Sequence, residues 1–144
     1  MSEDVQVSGH CYCGGIEFEL HIPEGEDPIF TAYCHCESCR RAHAAPLYQV
    51  ACIDESCFRI TKGEDLLETF QRPGAHLRRA FCRQCGSKIV NRFGEWKPKG
   101  KTPVAVFPSL LDQETQQALP EKLRPVRINR PDECVLDLER LLTD

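Results

Sequence analysis

The sequence predicts a single all-β domain with short helices, held together by bound metal. Short segments in which apolar and polar residues alternate recur along the chain, and turns containing glycine and proline separate them, as in all-β domains. The 144 residues include ten cysteines, most of which lie in close pairs or a triplet. Close spacing favours metal thiolates in a reducing compartment, whereas a secreted disulfide framework is the alternative interpretation.

The first half of the chain predicts strands joined by short turns. Residues 1–8 are polar and are expected to form a flexible N-terminus, so the domain is assigned to residues 9–144. Residues 16–22 alternate strictly between polar and apolar side chains, which predicts a half-buried strand. Residues 37–43 are expected to form one helical turn that ends before Pro46. Further strands are predicted over residues 29–33, 47–53 and 57–61.

The second half continues this pattern and adds two short helices. Asp112 is placed to N-cap a helix that ends before Pro120. Residues 132–142 have helical spacing, with Asp132 as the predicted N-cap. A basic loop over residues 94–103 contains the only tryptophan, Trp96. The remaining strands are predicted over residues 66–71, 76–81, 88–93, 104–107 and 125–128.

Charge and hydropathy argue against several classes of function. The net charge of −4 is unlike that of nucleic-acid-binding domains, which need a basic face, so no nucleic-acid partner is expected. No apolar run approaches the 18 or so residues of a membrane span. The first residues lack the basic and apolar regions of a secretory signal, so a cytoplasmic location is expected.

Two cysteine pairs far apart in the sequence predict a first metal site. Cys11 and Cys13 form one pair, Cys82 and Cys85 form the other, and each pair is followed by glycine and then by a strand. Two such turns facing each other supply four thiolates, the tetrahedral ligand set of a closed structural zinc site. Because binding would join the start of the domain to its middle, it would stabilise the fold strongly.

A triplet of cysteines predicts a second, incomplete metal site. Cys34, Cys36 and Cys39 lie within six residues, and neighbouring thiols this close are poorly placed to form disulfides. Three protein ligands with one open position are typical of catalytic zinc. Water or a substrate thiolate would then occupy the fourth position. Alternatively a protein side chain closes the site and makes it structural, and the candidates are His35, His43, Cys52, Cys57 and His76.

Basic residues follow the triplet directly. Arg40 and Arg41 could bind substrate carboxylates, since arginine offers a planar fork of donors. A small anionic thiol would suit arginines beside an open thiolate-bound metal, although ordinary solvated surface charge is the alternative. Cys52 is interpreted as a buried small apolar residue. Cys57 and Cys134 have no spaced partner and receive no role.

These motifs resemble the glutathione-dependent formaldehyde-activating enzyme family, which includes the domain of centromere protein V. The matching patterns are G-x-C-x-C-G-G at residues 9–15, C-H-C-x-x-C-R-R at 34–41, a turn at Gly63 and F-C-x-x-C-G-S at 81–87. The resemblance covers residues 9–111 and implies a zinc-stapled fold called a β-tent. It also implies a structural zinc on the two pairs and a labile zinc on the triplet.

The resemblance implies a carbon–sulfur lyase acting on an S-hydroxymethylglutathione-like adduct. Zinc on the triplet would bind the substrate sulfur or polarise the aldehyde-derived oxygen, and Arg40 and Arg41 would hold the carboxylates of glutathione. Many members have Pro-x-x-His-Ile and Ala-Pro-Trp near the C-terminus, and this chain lacks that histidine and tryptophan. If those residues shape the substrate pocket, a different substrate is expected. The alternatives are a non-catalytic zinc domain that binds thiols or a protein, and a purely structural zinc protein.

Overall fold

Two β-sheets form the body of the protein in a computed structural model that describes residues 3–142. The smaller sheet has the strand order β1-β2-β5, and the larger has the order β10-β3-β4-β9-β8-β7-β6. The strands are β1 Val5–His10, β2 Glu17–Ile22, β3 Phe30–Cys34, β4 Tyr48–Asp54, β5 Phe58–Lys62, β6 Leu67–Phe70, β7 Arg78–Cys82, β8 Lys88–Arg92, β9 Pro103–Val106 and β10 Arg127–Asn129. The three helices are α1 Glu37–His43, α2 Gln113–Gln117 and α3 Leu138–Leu142. The predicted all-β class with short helices is confirmed.

The smaller sheet begins with a strand where the sequence predicted a flexible terminus. All six residues of β1 pair antiparallel with β2, from Val5 opposite Ile22 to His10 opposite Glu17. Val5 is buried in the main core, and Val7 packs against it, so the apolar residues of β1 face inward. These two valines alternate with polar residues over too short a stretch to outweigh the polar composition. Residues 1–2 of the expected flexible segment lie outside the described residues.

The larger sheet is antiparallel except at one edge, where β10 pairs parallel with β3. Its buried face and that of the smaller sheet share a core that includes Phe18, Leu20, Ile53 and Val90. Burial of these side chains stabilises the pairing, because apolar surface removed from water contributes about 25 cal/mol per Å². β3 and β7 lead to the cysteine clusters, because Cys34 is the last residue of β3 and Cys82 is the last residue of β7.

The C-terminal segment differs from the helix predicted over residues 132–142. Only Leu138–Leu142 is α-helical, and Pro131–Glu133 forms a single 3₁₀ turn. Asp137, rather than Asp132, caps the helix, because its Oδ1 accepts from the backbone N–H of Arg140 at 3.0 Å. Asp132 pairs instead with Arg130. Helical spacing in the sequence did not reveal that local ion pairs hold this segment in a turn.

The second predicted N-cap lies at the expected position, but its side chain does not cap the helix. Asp112 precedes α2, but its side chain makes no capping hydrogen bond. Its Oδ2 accepts from the Ser8 hydroxyl at 3.4 Å, so it joins α2 to β1. Among residues 3–142, no helix combines the length and apolar character that crossing a bilayer requires.

Candidate metal centres

The first cluster forms where two strand ends meet. Cys11 and Cys13 lie in the turn between β1 and β2, and Cys82 and Cys85 lie at the end of β7 and in the turn that follows. All four sulfurs lie within 4.8 Å of one another. Regular tetrahedral geometry with zinc–sulfur bonds of about 2.3 Å places sulfurs about 3.8 Å apart. The Cys11–Cys13 separation of 3.6 Å and the Cys13–Cys82 separation of 3.8 Å fit this requirement.

Backbone groups aim at these sulfurs. The N–H of Gly15 points at Cys13 Sγ at 3.4 Å, and the N–H of Ile16 points at Cys11 Sγ at 3.3 Å. Donors directed at sulfur stabilise the thiolate, which is the form that binds metal. At Cys13 the donation from Gly15 is outweighed by desolvation and by hydrogen bonds with the other three cysteines, which raise its pKa to about 11. The donor set and its spacing therefore fit a metal ion, and the four cysteines could bind zinc.

The second cluster is built by a strand that runs directly into a helix. Cys34 ends β3, Cys36 immediately precedes α1, and Cys39 lies in its first turn. The three sulfurs lie within 4.8 Å of one another, and Cys34 and Cys39 are almost fully buried. No fourth histidine, cysteine or carboxylate meets the same distance limit in the part of the chain that the structure describes. This trio could also bind zinc.

The five side chains considered as a fourth ligand lie elsewhere. Cys52 is buried in β4, and Cys57 is buried in the main core. His43 stacks on Tyr48, and His76 lines a neighbouring cavity. His35, which lies between Cys34 and Cys36 in the sequence, is buried, and its Nδ1 has no hydrogen-bond partner. None of these side chains joins the group of three sulfurs.

Hydrogen bonds concentrate negative charge on Cys39. The pKa of Cys39 falls to about 4 because Cys34 donates to it, with further donation from Cys36, Tyr48 and Arg79, which together outweigh the opposing effect of burial. The Tyr48 hydroxyl lies 2.9 Å from Cys39 Sγ, and Arg79 Nη2 lies 3.6 Å from it. The pKa of Cys34 is raised, since it keeps the proton that it shares with Cys39. These donors therefore favour the thiolate form of Cys39, which is the form that binds metal.

Tyr48 is held in place by two aromatic rings. His43 stacks on Tyr48 with a ring separation of 4.3 Å, and Phe107 packs edge-on against His43 at 4.8 Å. Burial lowers the pKa of His43 to about 4, so its imidazole is neutral at pH 7. Burial also raises the pKa of Tyr48, so that its phenol keeps the proton that it donates to Cys39. Sequence inspection gave no indication of Tyr48.

The C-terminal segment packs against the same turn. The carbonyl of Asn129 accepts from the His35 N–H at 3.1 Å. Glu133 Oε1 accepts from the N–H of Glu37, the first residue of α1, at 3.0 Å. Arg130 binds the other oxygen of Glu133 at 3.0 Å. Residues 129–133 therefore brace the turn that carries Cys36.

A cavity of about 810 Å³ lies beside the second cluster. Arg79 joins the two, because it lines the cavity and also contacts Cys39 Sγ. Its Nη1 is buried and has no hydrogen-bond partner. The cavity wall contains no aspartate or glutamate from the described residues, and its cationic side chains are Arg41, Arg72, Arg79 and Lys88. This composition attracts an anion.

The two predicted substrate arginines differ in position. Arg41 lines the cavity, although it also pairs with Glu37 Oε1 at 3.2 Å. Arg40 faces a separate surface pocket, and its Nε donates to the carbonyl of His35 at 2.9 Å. Arg40 therefore supports the cysteine turn. Alternation along β7 places Arg79 in the cavity, but the sequence did not indicate that β7 passes beside Cys39.

Comparison with known proteins agrees with this architecture. The family model described as glutathione-dependent formaldehyde-activating enzyme matches residues 6–127. A crystal structure of a Rhodobacter sphaeroides protein is similar at 23% sequence identity and a TM-score of 0.58, covering 85% of this chain and 99% of that chain. No curated protein matches the sequence. The structural similarity shows a shared fold, and the family match spans both cysteine clusters.

Proposed function

Because the chain belongs to the glutathione-dependent formaldehyde-activating enzyme family, we propose that it is a zinc-dependent carbon–sulfur lyase. The substrate is an S-hydroxymethylglutathione-like adduct. One observation carries the proposal: three thiols converge beside a cationic cavity, and no fourth ligand from residues 3–142 joins them. A closed structural site needs four ligands, whereas a reacting site keeps a position for substrate.

The two clusters receive different roles in this proposal. Cys11, Cys13, Cys82 and Cys85 hold a structural zinc. Cys34, Cys36 and Cys39 hold the second zinc, which when bound supplies Lewis acidity and favours the thiolate form of a sulfur ligand. None of the ten cysteines forms a disulfide, which supports a reducing compartment such as the cytoplasm as the proposed location.

The chain's own residues bind and orient the substrate. Arg79 and Lys88 hold a carboxylate of glutathione, and Arg41 assists at the cavity rim. Forming the adduct joins sulfur to the aldehyde carbon and moves the thiol proton to the aldehyde oxygen, and the reverse reaction returns it. No other reactant is needed. Tyr48 keeps Cys39 Sγ in place throughout, since it donates to that sulfur.

Exchange NMR on glutathione and formaldehyde tests the activity directly. The zinc-loaded protein is expected to speed interconversion between free and hydroxymethylated glutathione. An exchange rate equal to that without protein would reject the formaldehyde version of the lyase. If glutathione binds but the rate is unchanged, the protein is a thiol-binding module instead.

A cobalt-substituted protein tests the open position. Thiol addition should change the visible spectrum of cobalt bound to three sulfurs, because the ligand set changes. A closed four-sulfur site would not respond. An unchanged spectrum at saturating glutathione would therefore leave both metals structural.

Two neighbouring arginines provide a matched pair of variants. Arg79→Gln should weaken glutathione binding by about 10- to 100-fold, since hydrogen bonds to charged groups contribute about 1.5–3 kcal/mol. Arg78 lies next to it on β7, is exposed, and donates to the carbonyl of Phe93 instead. Arg78→Gln should leave binding unchanged. Equal losses in both variants would contradict the assignment of Arg79.

A further inference from the structure

The cavity beside the second cluster has an apolar wall that a one-carbon adduct does not use. Phe70, Leu77 and Phe81 line it together with the cationic residues. A hydroxymethyl group is a single polar carbon, and glutathione itself is mostly polar. The wall therefore offers more apolar surface than the binding of S-hydroxymethylglutathione alone would require.

Strand geometry explains why the wall lies beside the reacting position. Residues two apart on a strand face the same side of a sheet, so Arg79 and Phe81 share the cavity face of β7. Ala80 and Cys82 face the main core. Phe70 lies opposite Arg79 in the pairing of β6 with β7. Arg79, which contacts Cys39, thus shares the cavity wall with Phe70 and Phe81.

The cationic and apolar surfaces are adjacent. Lys88 lies opposite Phe81 in the pairing of β7 with β8, and its Nζ is 5.3 Å from the centre of the Phe81 ring. A carboxylate bound to Lys88 or Arg79 would therefore lie next to Phe81 or Phe70. The only part of a glutathione adduct that can carry a large apolar group near the sulfur is the substituent on that sulfur.

We propose that the cavity selects thiol adducts with an apolar sulfur substituent of several carbons, as formed from longer or aromatic aldehydes. This inference rests on the proposed function, since it places the substrate sulfur at the second cluster. The substrate class is an anionic, glutathione-like thiol joined to such an aldehyde. As with formaldehyde, the bond that forms joins sulfur to the aldehyde carbon, and the thiol proton moves to the aldehyde oxygen. The reverse reaction breaks this bond and returns the proton.

Stable S-alkylglutathiones test the wall separately from the chemistry. S-methyl-, S-butyl- and S-hexylglutathione are thioethers, so they cannot become thiolates and report mainly on the cavity. Titration calorimetry on the metal-loaded protein should show affinity rising about two- to fourfold per methylene. The upper value corresponds to a fully buried methylene, and the lower allows for Phe70, which is 58% exposed.

Two exposed residues on opposite edge strands give a matched control. Phe70→Ala on β6 should lower the affinity for S-hexylglutathione by about fivefold and leave that for S-methylglutathione unchanged. Ile128 on β10 is similarly exposed at 54% and lies at the other edge of the sheet. Ile128→Ala should change neither affinity. Both side chains are largely exposed, so neither variant should lose its fold.

A cavity-filling variant provides an independent test. Ala75→Phe places a ring in the cavity wall and should weaken S-hexylglutathione more than S-methylglutathione. Equal affinities for the three ligands, or no binding of any, would overturn the inference. Affinity that rises with chain length, without acceleration of the formaldehyde exchange, would support the inference and contradict only the assignment of formaldehyde as the aldehyde.

Discussion

Gly63 supports the first metal cluster from outside its ligand set. Its φ is +77°, a left-handed conformation that costs an L residue about 1–2 kcal/mol. A Cβ added here would also overlap the carbonyl oxygen of Gly15 and lie 2.9 Å from its carbonyl carbon. Overpacking of this kind costs about 1–3 kcal/mol more. Gly63→Ala should therefore lower the free energy of unfolding by about 2–5 kcal/mol.

A second glycine separates conformational strain from the overlap. Gly74 has a similar φ of +82°, but a Cβ there would meet nothing within 4 Å. Gly74→Ala should cost only about 1–2 kcal/mol. Urea unfolding of both zinc-loaded variants measures the difference. Equal decreases in the free energy of unfolding for the two variants would refute this explanation, because the overlap with Gly15 in the metal-bearing turn would then contribute nothing.

Three further predictions concern the second cluster. Tyr48→Phe removes a donor from Cys39, so the pKa of that thiol should rise, which thiolate absorbance at 240 nm would measure after a weak chelator removes the second metal. Glu133→Ala frees the first N–H of α1 at Glu37, and the second metal should dissociate several-fold faster in a chelator competition assay. In the same partly demetallated protein, stability should rise with pH from about 4 to 6.5, because unfolded His43 binds a proton that the folded form does not, with its pKa of about 4. The stability should continue to rise from pH 6.5 towards pH 9. Over this interval the Cys39 thiol is ionised in the folded state but still protonated in the unfolded state.

Matched variants control for these effects. Tyr33→Phe removes an exposed hydroxyl and should leave the Cys39 pKa unchanged. Glu24→Ala removes a carboxylate from an exposed turn and should leave metal release unchanged. For the pH dependence, Cys39→Ser should flatten the rise between pH 6.5 and 9. A profile that kept its slope there would contradict the assignment to Cys39.

Local spacing predicted the parts of the molecule that depend on local sequence. Strict alternation identified the strand at residues 16–22, because a half-buried strand imposes a period of two. Short spacings likewise identified both cysteine clusters, since ligands on one turn must converge on one point. β1 was missed because its stability comes from pairing with β2 and from burying Val5, which is a property of the sheet.

The surroundings of the second cluster depend on contacts between distant segments. Arg79 lies 40 residues from Cys39 in the sequence, and Glu133 lies 96 residues from Glu37. Neither distance leaves a periodic pattern that sequence reading can detect. Arg40 was assigned to substrate because it follows the cysteines directly, yet the turn directs its side chain back to the His35 carbonyl.

The segments that each cluster joins support the different roles proposed for the two clusters. The first cluster connects Cys13 with Cys82, which are 69 residues apart, so metal binding there closes a long loop and contributes to folding. The second takes all its sulfurs from the six residues between Cys34 and Cys39, so its metal closes no long loop. The fold around it is fixed by β3, α1 and the C-terminal segment. A metal that the fold does not depend on can exchange a ligand with substrate at little cost in stability.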